Sequence, residues 1–442
     1  DIIMNKIMFK KGIQRKLEKY VRKYFETHPD IKLITVAGSV GKTSTKLAIA
    51  TILSQKYRVR LHEGNHNTHL SAPLAILGIN FPGNPRNFWE WHRVFKAARK
   101  RIKSPSDQEP QIIIQELGTD HPGDIERFSK YLAPNIAVIT SVTPEHMEFF
   151  GNIDAVAQEE LEAGNFAEMA ILNQDDISPD FFKYIRNSNI ATYSSVGGAN
   201  YNFIANNFSL LDGFSGKIQT PEYGEINVRV KVFGEHSLRP IAGAVAVSIK
   251  LGLSPQEIVG GLASLKPVPG RMNFMRGVKD SVLIDDTYNS SPAALEAAIQ
   301  TLYSLSAPSK IAVIGSMNEL GEDSAFEHQK IGEMLDGVSL SWVVTVGEHA
   351  NKFLAPAARL RGCQVYEAKN AIDAGTFVHK IMERGTLVLL KGSQGKIYLE
   401  EATKILLLNK DDEKWLVRQD EKWKKTKDDF FSSFTEVAED EV

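Results

Sequence analysis

Ile31-Lys32-Leu33-Ile34-Thr35-Val36-Ala37-Gly38-Ser39-Val40-Gly41-Lys42-Thr43-Ser44 is an apolar run followed by a glycine-bounded turn. A helical pattern then runs from Lys42 to Leu53. A short apolar run bounded by turn residues is a buried strand pattern. Glycines free the turn's N–H groups to point at phosphate oxygens, and the following helix N-terminus adds a favourable dipole. The spacing predicts a phosphate-binding loop over Gly38, Ser39, Val40, Gly41, Lys42, Thr43 and Ser44. Lys42 would reach the β and γ phosphates of ATP, and the Thr43 hydroxyl would ligate Mg²⁺. The bland alternative, a plain turn with a surface lysine, does not explain Gly-Lys-Thr at this junction.

Outward from the loop, more apolar runs alternate with helical stretches: Ile112–Ile114, Ile136–Ile139 and Met169–Leu172. That rhythm predicts an α/β domain with a mostly parallel sheet over residues 31–267, the central ATP-binding domain. Within it, residues 190–233 read as a small antiparallel subsheet or flap. The alternation restarts after Pro269-Gly270, which predicts a Rossmann-like α/β domain over residues 268–408. Residues 1–30 read as a basic amphipathic helix, and residues 409–442 as a charged tail that is either a docked helix or a flexible end. Residues 81–110 form an aromatic and basic insertion.

A chain of 442 residues is too long for one core. The net charge of −2 gives no strong global attraction to nucleic acid, and none is expected as a partner. One cysteine, Cys363, excludes a disulfide framework and a thiolate zinc cluster, so a reducing cytoplasm is the simplest setting. No apolar run reaches the roughly 18–20 residues that a membrane span needs.

Candidate site residues follow at strand ends. Glu116 closes the run Ile112–Gln115, where a carboxylate lies beside the nucleotide crevice and suits Mg²⁺. His146 follows the run Ile136–Ile139 and is a candidate ligand for a second divalent ion, although a lone histidine is more often structural. Asp285-Asp286-Thr287-Tyr288-Asn289 follows the first strand of the last domain, where Asp286 can accept ribose hydroxyls or simply cap a turn. Arg271, after Gly270, is a candidate for stabilising phosphate charge, with a salt-bridged hinge residue as the alternative. Lys391 and Ser393 follow a fourth strand and can hold a substrate carboxylate or form an ordinary loop.

In order, these motifs resemble the Mur ligases from about Ile31 to Leu408, closest to the branch that adds D-alanyl-D-alanine to a cell-wall peptide precursor. The resemblance also rests on Gly64-Asn65-His66-Asn67, Glu116-Leu117-Gly118, Gly234-Glu235-His236 and Glu319-Leu320-Gly321-Glu322. It implies an ATP- and Mg²⁺-dependent amide ligase that works through an acyl phosphate. It also implies nucleotide contacts from Asp286, Tyr288 and Asn289, and substrate contacts from Asn65, Asn67, Glu319, Lys391 and Ser393. Lys42, Glu116, His146 and Arg271 would carry the chemistry in a monomeric chain.

Departures sharpen the expectation. Only about thirty residues precede the first strand, where the resemblance places a uridine-nucleotide-binding domain. Glu160 stands where the family has a carbamylated, metal-bridging lysine, and is expected to ligate the second metal directly or through water. Ser237, Pro240, Ser291, Ser316 and Gln394 replace other family side chains. The basic segments 1–30 and 81–110 suit an anionic membrane surface, or else pack on each other and cover the core. Alternatives for the whole chain are a ligase for another donor, lipid-linked or glutamylated, and a nucleotide-binding scaffold without catalysis.

Overall fold

The computed structural model describes residues 2–62, 66–144, 147–209, 213–266 and 268–439. It divides into two compact units: Asp1–Lys231 with Ser237–Leu265, and Val232–His236 with Lys266–Val442.

The first unit opens with α1 (Ile2–Thr27), β1 (Lys32–Ala37), α2 (Lys42–Leu53), β2 (Val59–Leu61), α3 (Ser71–Leu77) and α4 (Phe88–Ile102). It continues through β3 (Ile112–Glu116), α5 (Asp124–Ser129), β4 (Ile136–Ile139), α6 (Met147–Phe150), α7 (Ile153–Asn165) and β5 (Met169–Asn173). It ends with β6 (Ile190–Ser194), β7 (Tyr201–Ser209), β8 (Gly213–Thr220), β9 (Gly224–Val230), α8 (Leu238–Lys250) and α9 (Pro255–Ala263). The nine strands form one sheet in the order β2-β3-β1-β4-β5-β6-β7-β8-β9. Strands β1, β3 and β4 are parallel and almost wholly buried, which is why they read as unbroken apolar runs. Because β3 and β4 flank β1 on opposite sides, a crevice opens at their carboxyl ends.

One reading is revised here, and one of two open alternatives is met. Residues 190–230 are not a separate flap: β6 and β7 pair in parallel, and the antiparallel β7–β9 ribbon extends the main sheet. The two basic segments pack together. In α4, Trp91, Val94 and Ala98 share one face and are buried. Trp91 and Val94 join Ile13 and Leu17 of α1 and Leu74 of α3 in one apolar cluster. The Trp91 indole N–H donates to Pro85 O at 2.9 Å. Buried side chains of this size contribute roughly 1.5–3 kcal/mol each. Glu109 ties the layer down by accepting hydrogen bonds from Tyr24, Arg60, Arg101 and Ser104. Burial would raise its carboxyl, but these donors outweigh burial and hold it at about 2.

The second unit contains β10 (Asn273–Arg276), β11 (Val282–Asp286), α10 (Pro292–Ser304), β12 (Lys310–Gly315), α11 (Ser324–Met334), β13 (Trp342–Val346) and α12 (Ala355–Leu360). Then come β14 (Val365–Ala368), α13 (Ala371–Ile381), β15 (Leu387–Lys391), α14 (Glu400–Leu406) and α15 (Glu421–Glu439). The sheet order is β10-β11-β15-β12-β13-β14, parallel except for the edge strand β10. The tail is docked: the Phe430 and Phe431 rings lie 5.3 and 6.3 Å from that of Tyr398.

Candidate active site

The glycine-bounded loop starts at the end of β1 and ends on α2. Gly38 has φ +120 and Gly41 φ +89, conformations that favour glycine. A Cβ on Gly38 would sit 2.8 Å from Ser141 N, so the loop backbone lies directly against the segment after β4. That segment braces it. Ser39 N–H donates to Ser141 O at 3.1 Å, Val40 N–H to Ser141 Oγ at 2.7 Å, and Thr140 Oγ1–H to Val40 O at 2.6 Å. Lys42 Nζ folds over the loop and donates to Gly38 O and, at 3.1 Å, to Ser39 O. Ser44 lies one residue further along α2.

Glu116, at the end of β3, faces this helix. Its Oε2 accepts a hydrogen bond from Thr43 Oγ1 at 3.2 Å and pairs with Lys46 Nζ at 2.9 Å. Both side chains of that ion pair are about 4% exposed. Asn67 Nδ2 donates to Glu116 Oε1 at 3.5 Å, and Gly118 N–H donates to Asn67 O at 3.0 Å. Sequence reasoning singled out Glu116, Thr43 and Asn67, which lie together here, and did not name Lys46. Its signal was the i,i+3 spacing from Thr43 on α2, which puts both side chains on one helix face.

The hydroxyl of Thr43 and the carboxylate of Glu116 are hard oxygen donors of the kind Mg²⁺ takes. Their 3.2 Å separation fits neighbouring corners of an octahedron, about 3 Å apart for bonds of about 2.1 Å. Two donors of the right kind thus lie together, with Glu116 Oε2 also engaged by Lys46 Nζ. His146 and Asn65 lie outside the described residues.

Glu160 reaches from α7 to the start of the loop, where its Oε2 accepts the Gly38 N–H at 2.7 Å. Burial pushes the Glu160 carboxyl up, while Lys42 and the Gly38 amide pull it down. The Glu160 carboxyl is thus placed against the glycine-bounded loop itself.

In the second unit, Asp286, Tyr288, Asn289, Lys391 and Ser393 come together where β11 and β15 end. Lys391 Nζ pairs with Asp286 Oδ2 at 2.7 Å and donates to Asn289 O at 3.0 Å. Ser393 Oγ accepts from Asn318 N at 2.9 Å, which brings the exposed Glu319 loop beside this group. Glu319 itself has φ +65. The Arg271 guanidinium lies 4.3 Å from the centre of the Tyr288 ring. Ser316 Oγ is taken by Ala350 N–H at 3.0 Å, so this serine supports the strand end from within.

Asp285 is wholly buried and accepts hydrogen bonds from Gly270 N and Thr287 Oγ1 at 3.0 and 2.6 Å. Burial nevertheless pushes its carboxyl from 3.8 up to about 7. Between those values the unfolded chain ionises while the folded one holds its proton, so stability falls as pH rises. The thermal midpoint of the wild type is expected to fall from about pH 4 to about pH 7 relative to that of Asp285→Asn. Parallel pH curves for the two proteins would refute this.

Comparison with known proteins agrees with both units. Residues 36–248 match the Mur ligase middle domain, and residues 270–394 match the Mur ligase, glutamate ligase domain. The UDP-N-acetylmuramoyl-tripeptide–D-alanyl-D-alanine ligase of Bacillus subtilis (strain 168) is 28% identical over 386 residues, 85% of this chain and 76% of its own length. The ligase of the same description from Escherichia coli (strain K12) is 28% identical over 324 residues; the match spans 72% of this chain and 65% of that one. A crystal structure of MurF from Acinetobacter baumannii superposes with a TM-score of 0.72 at 26% identity, covering 88% of this chain and 79% of that one.

Proposed function

The chain belongs to the Mur ligase family, and on that footing we propose that it is an ATP-dependent, ADP-forming amide ligase. Its substrates would be a peptidoglycan precursor with a free carboxylate and D-alanyl-D-alanine or a similar amine. The observation that carries the proposal is the cluster Lys42, Thr43, Lys46 and Glu116 at the carboxyl ends of β1 and β3, beside a glycine-bounded loop.

The reaction class has two steps. The carboxylate oxygen attacks the γ phosphorus of ATP and ADP leaves, forming an acyl phosphate. The amine then attacks the acyl carbon, phosphate leaves, and the nitrogen loses a proton. Little of this needs covalent help from protein; it needs positioned charge. The α2 N-terminus would orient the phosphates, and Lys42 would supply a cation next to them. Thr43 and Glu116 would hold Mg²⁺, which when bound neutralises charge on the phosphate oxygens. Lys46 pairs with Glu116 and holds it beside Thr43. Glu160 holds the Gly38 amide, and with His146 it would ligate a second metal directly or through water. Lys391 and Ser393 would receive the amine substrate's carboxylate. Asp286, Tyr288 and Asn289 would meet the nucleotide.

The test is ADP release measured with each substrate alone and with both. Release that requires both a muropeptide carboxylate and an amine supports the ligase. Nucleotide binding without turnover, across soluble and lipid-linked donors, would leave a scaffold in its place.

The proposal includes a monomer in the cytoplasm that rests peripherally on a membrane. Among the described residues, no helix is long and apolar enough to cross one. The solvent face of α4 favours peripheral contact. Phe88 and Trp89 are 63% and 71% exposed, and they share that face with exposed Arg93, Lys96, Arg99 and Lys100. The packed α1 adds exposed Arg15, Lys19, Arg22 and Lys23. Cations with exposed aromatic rings complement an anionic lipid surface. The protein is expected to co-sediment with phosphatidylglycerol vesicles at low salt. Reversing Arg93, Lys96 and Lys100 to glutamate should weaken binding by about 100-fold or more, at about 1 kcal/mol per charge near the surface. Binding to RNA but not to vesicles would reassign the face.

A further inference from the structure

The loop after β11 has four successive carbonyl oxygens, and each is met by a side-chain donor. Arg418 Nη2 donates to Thr287 O at 2.6 Å and Arg418 Nη1 to Tyr288 O at 3.0 Å. Lys391 Nζ donates to Asn289 O at 3.0 Å, and Ser393 Oγ to Ser290 O at 3.3 Å. Connecting loops usually leave such groups to water. Here the peptide planes of the whole turn are set from beneath.

Two of these donors come from the end of β15. The other, Arg418, belongs to the tail, beyond residue 394 where the family match ends. The tail is built to hold it. Arg418 is about 9% exposed and has φ +56, a left-handed conformation that a non-glycine residue keeps only where its surroundings enforce it. Its fork is bidentate on Glu400, with Nε to Oε1 at 2.8 Å and Nη2 to Oε2 at 2.7 Å. Glu400 is wholly buried and also meets Lys427 of α15 at 3.5 Å, while Lys427 also pairs with Glu401. Val417 closes the other side: a Cβ on Gly270 would sit 2.7 Å from Val417 Cγ1. The same segment thus braces Gly270, which precedes Arg271, and the turn that carries Tyr288.

We infer that Arg418 is a positioning residue of the ligase site, and that the tail from Leu416 through α15 is a strap holding the Asp286–Asn289 turn ready for nucleotide. This rests on the ligase reading of that turn. Arg418 touches no reacting atom; it fixes the planes of residues 287 and 288. Without it the turn samples other conformations, and apparent affinity falls with the fraction that is competent.

The test compares the full chain with Arg418→Ala and Arg418→Lys, measuring kcat and KM for ATP, ATP affinity by calorimetry, and melting. Arg418→Ala is expected to raise KM and weaken ATP binding by about tenfold, with kcat changed far less. Guanidinium ion added to Arg418→Ala should restore part of the loss. Arg418→Lys keeps charge against Glu400 without the fork, so it should fold and still show a raised KM. A purely structural role would lower apparent kcat with the folded fraction and leave KM alone, and that result overturns the inference. Unchanged KM and affinity in folded Arg418→Lys also overturns it. Failure of the wild type to release ADP would sink the ligase reading instead, while the calorimetric comparison still decides the strap.

Discussion

Lys42→Ala is expected to lower substrate-dependent ADP release by about 10²–10³-fold, the usual loss when one positioned donor to developing charge is removed. The structure explains why this loss would come without unfolding. Lys42 is itself partly exposed, and its ammonium donates to Gly38 O and Ser39 O. Stability should therefore change far less than activity, because the side chain is not part of a core. The check is a coupled ADP assay beside a urea titration. A variant with kcat/KM within threefold of wild type would show that Lys42 does not stabilise the transferring phosphoryl group.

Lys46→Ala should behave in the opposite way and unfold the first unit more readily. Lys46 and Glu116 form an ion pair at 2.9 Å with both side chains about 4% exposed. Removing one partner strands a buried charge, which typically costs about 3–5 kcal/mol. Thr43 and Asn67 still donate to Glu116, so the lower end of that range is expected. Adding Glu116→Gln to Lys46→Met should recover much of the loss, because both charges then leave together. Activity would not return, since Glu116 is proposed to serve the metal as well as the fold. Equal stability of Lys46→Ala and wild type in urea would place this pair among the ion pairs that contribute nothing.

The phosphate loop was legible because its message is local. Apolar β1, glycines at positive φ and Lys-Thr on the first turn of α2 lie within fourteen consecutive residues, 31–44. Glu116 was legible for a related reason: a parallel strand buried on both faces shows as an apolar run, and its last residue lies at the crevice. The antiparallel pairing within 190–233 was legible, but its continuity with the main sheet was not, because alternation does not say which edge a strand joins. The pairing of Tyr193 with Tyr201 is a contact in space.

Sequence alone thus determined the mixed α/β class, the strand–loop–helix at residues 31–53 and the residue types at several strand ends. Each depends on periodicity or on neighbours a few bonds away. Tertiary structure alone decided which charges share a partner. Lys46 meets Glu116 from 70 residues away, Glu160 meets Gly38 across 122 residues, and Arg418 meets Thr287 across 131. Such pairs form because burying a charge is costly unless another group answers it. Which group answers depends on how strands and helices pack, and that is not written in any one stretch of the chain.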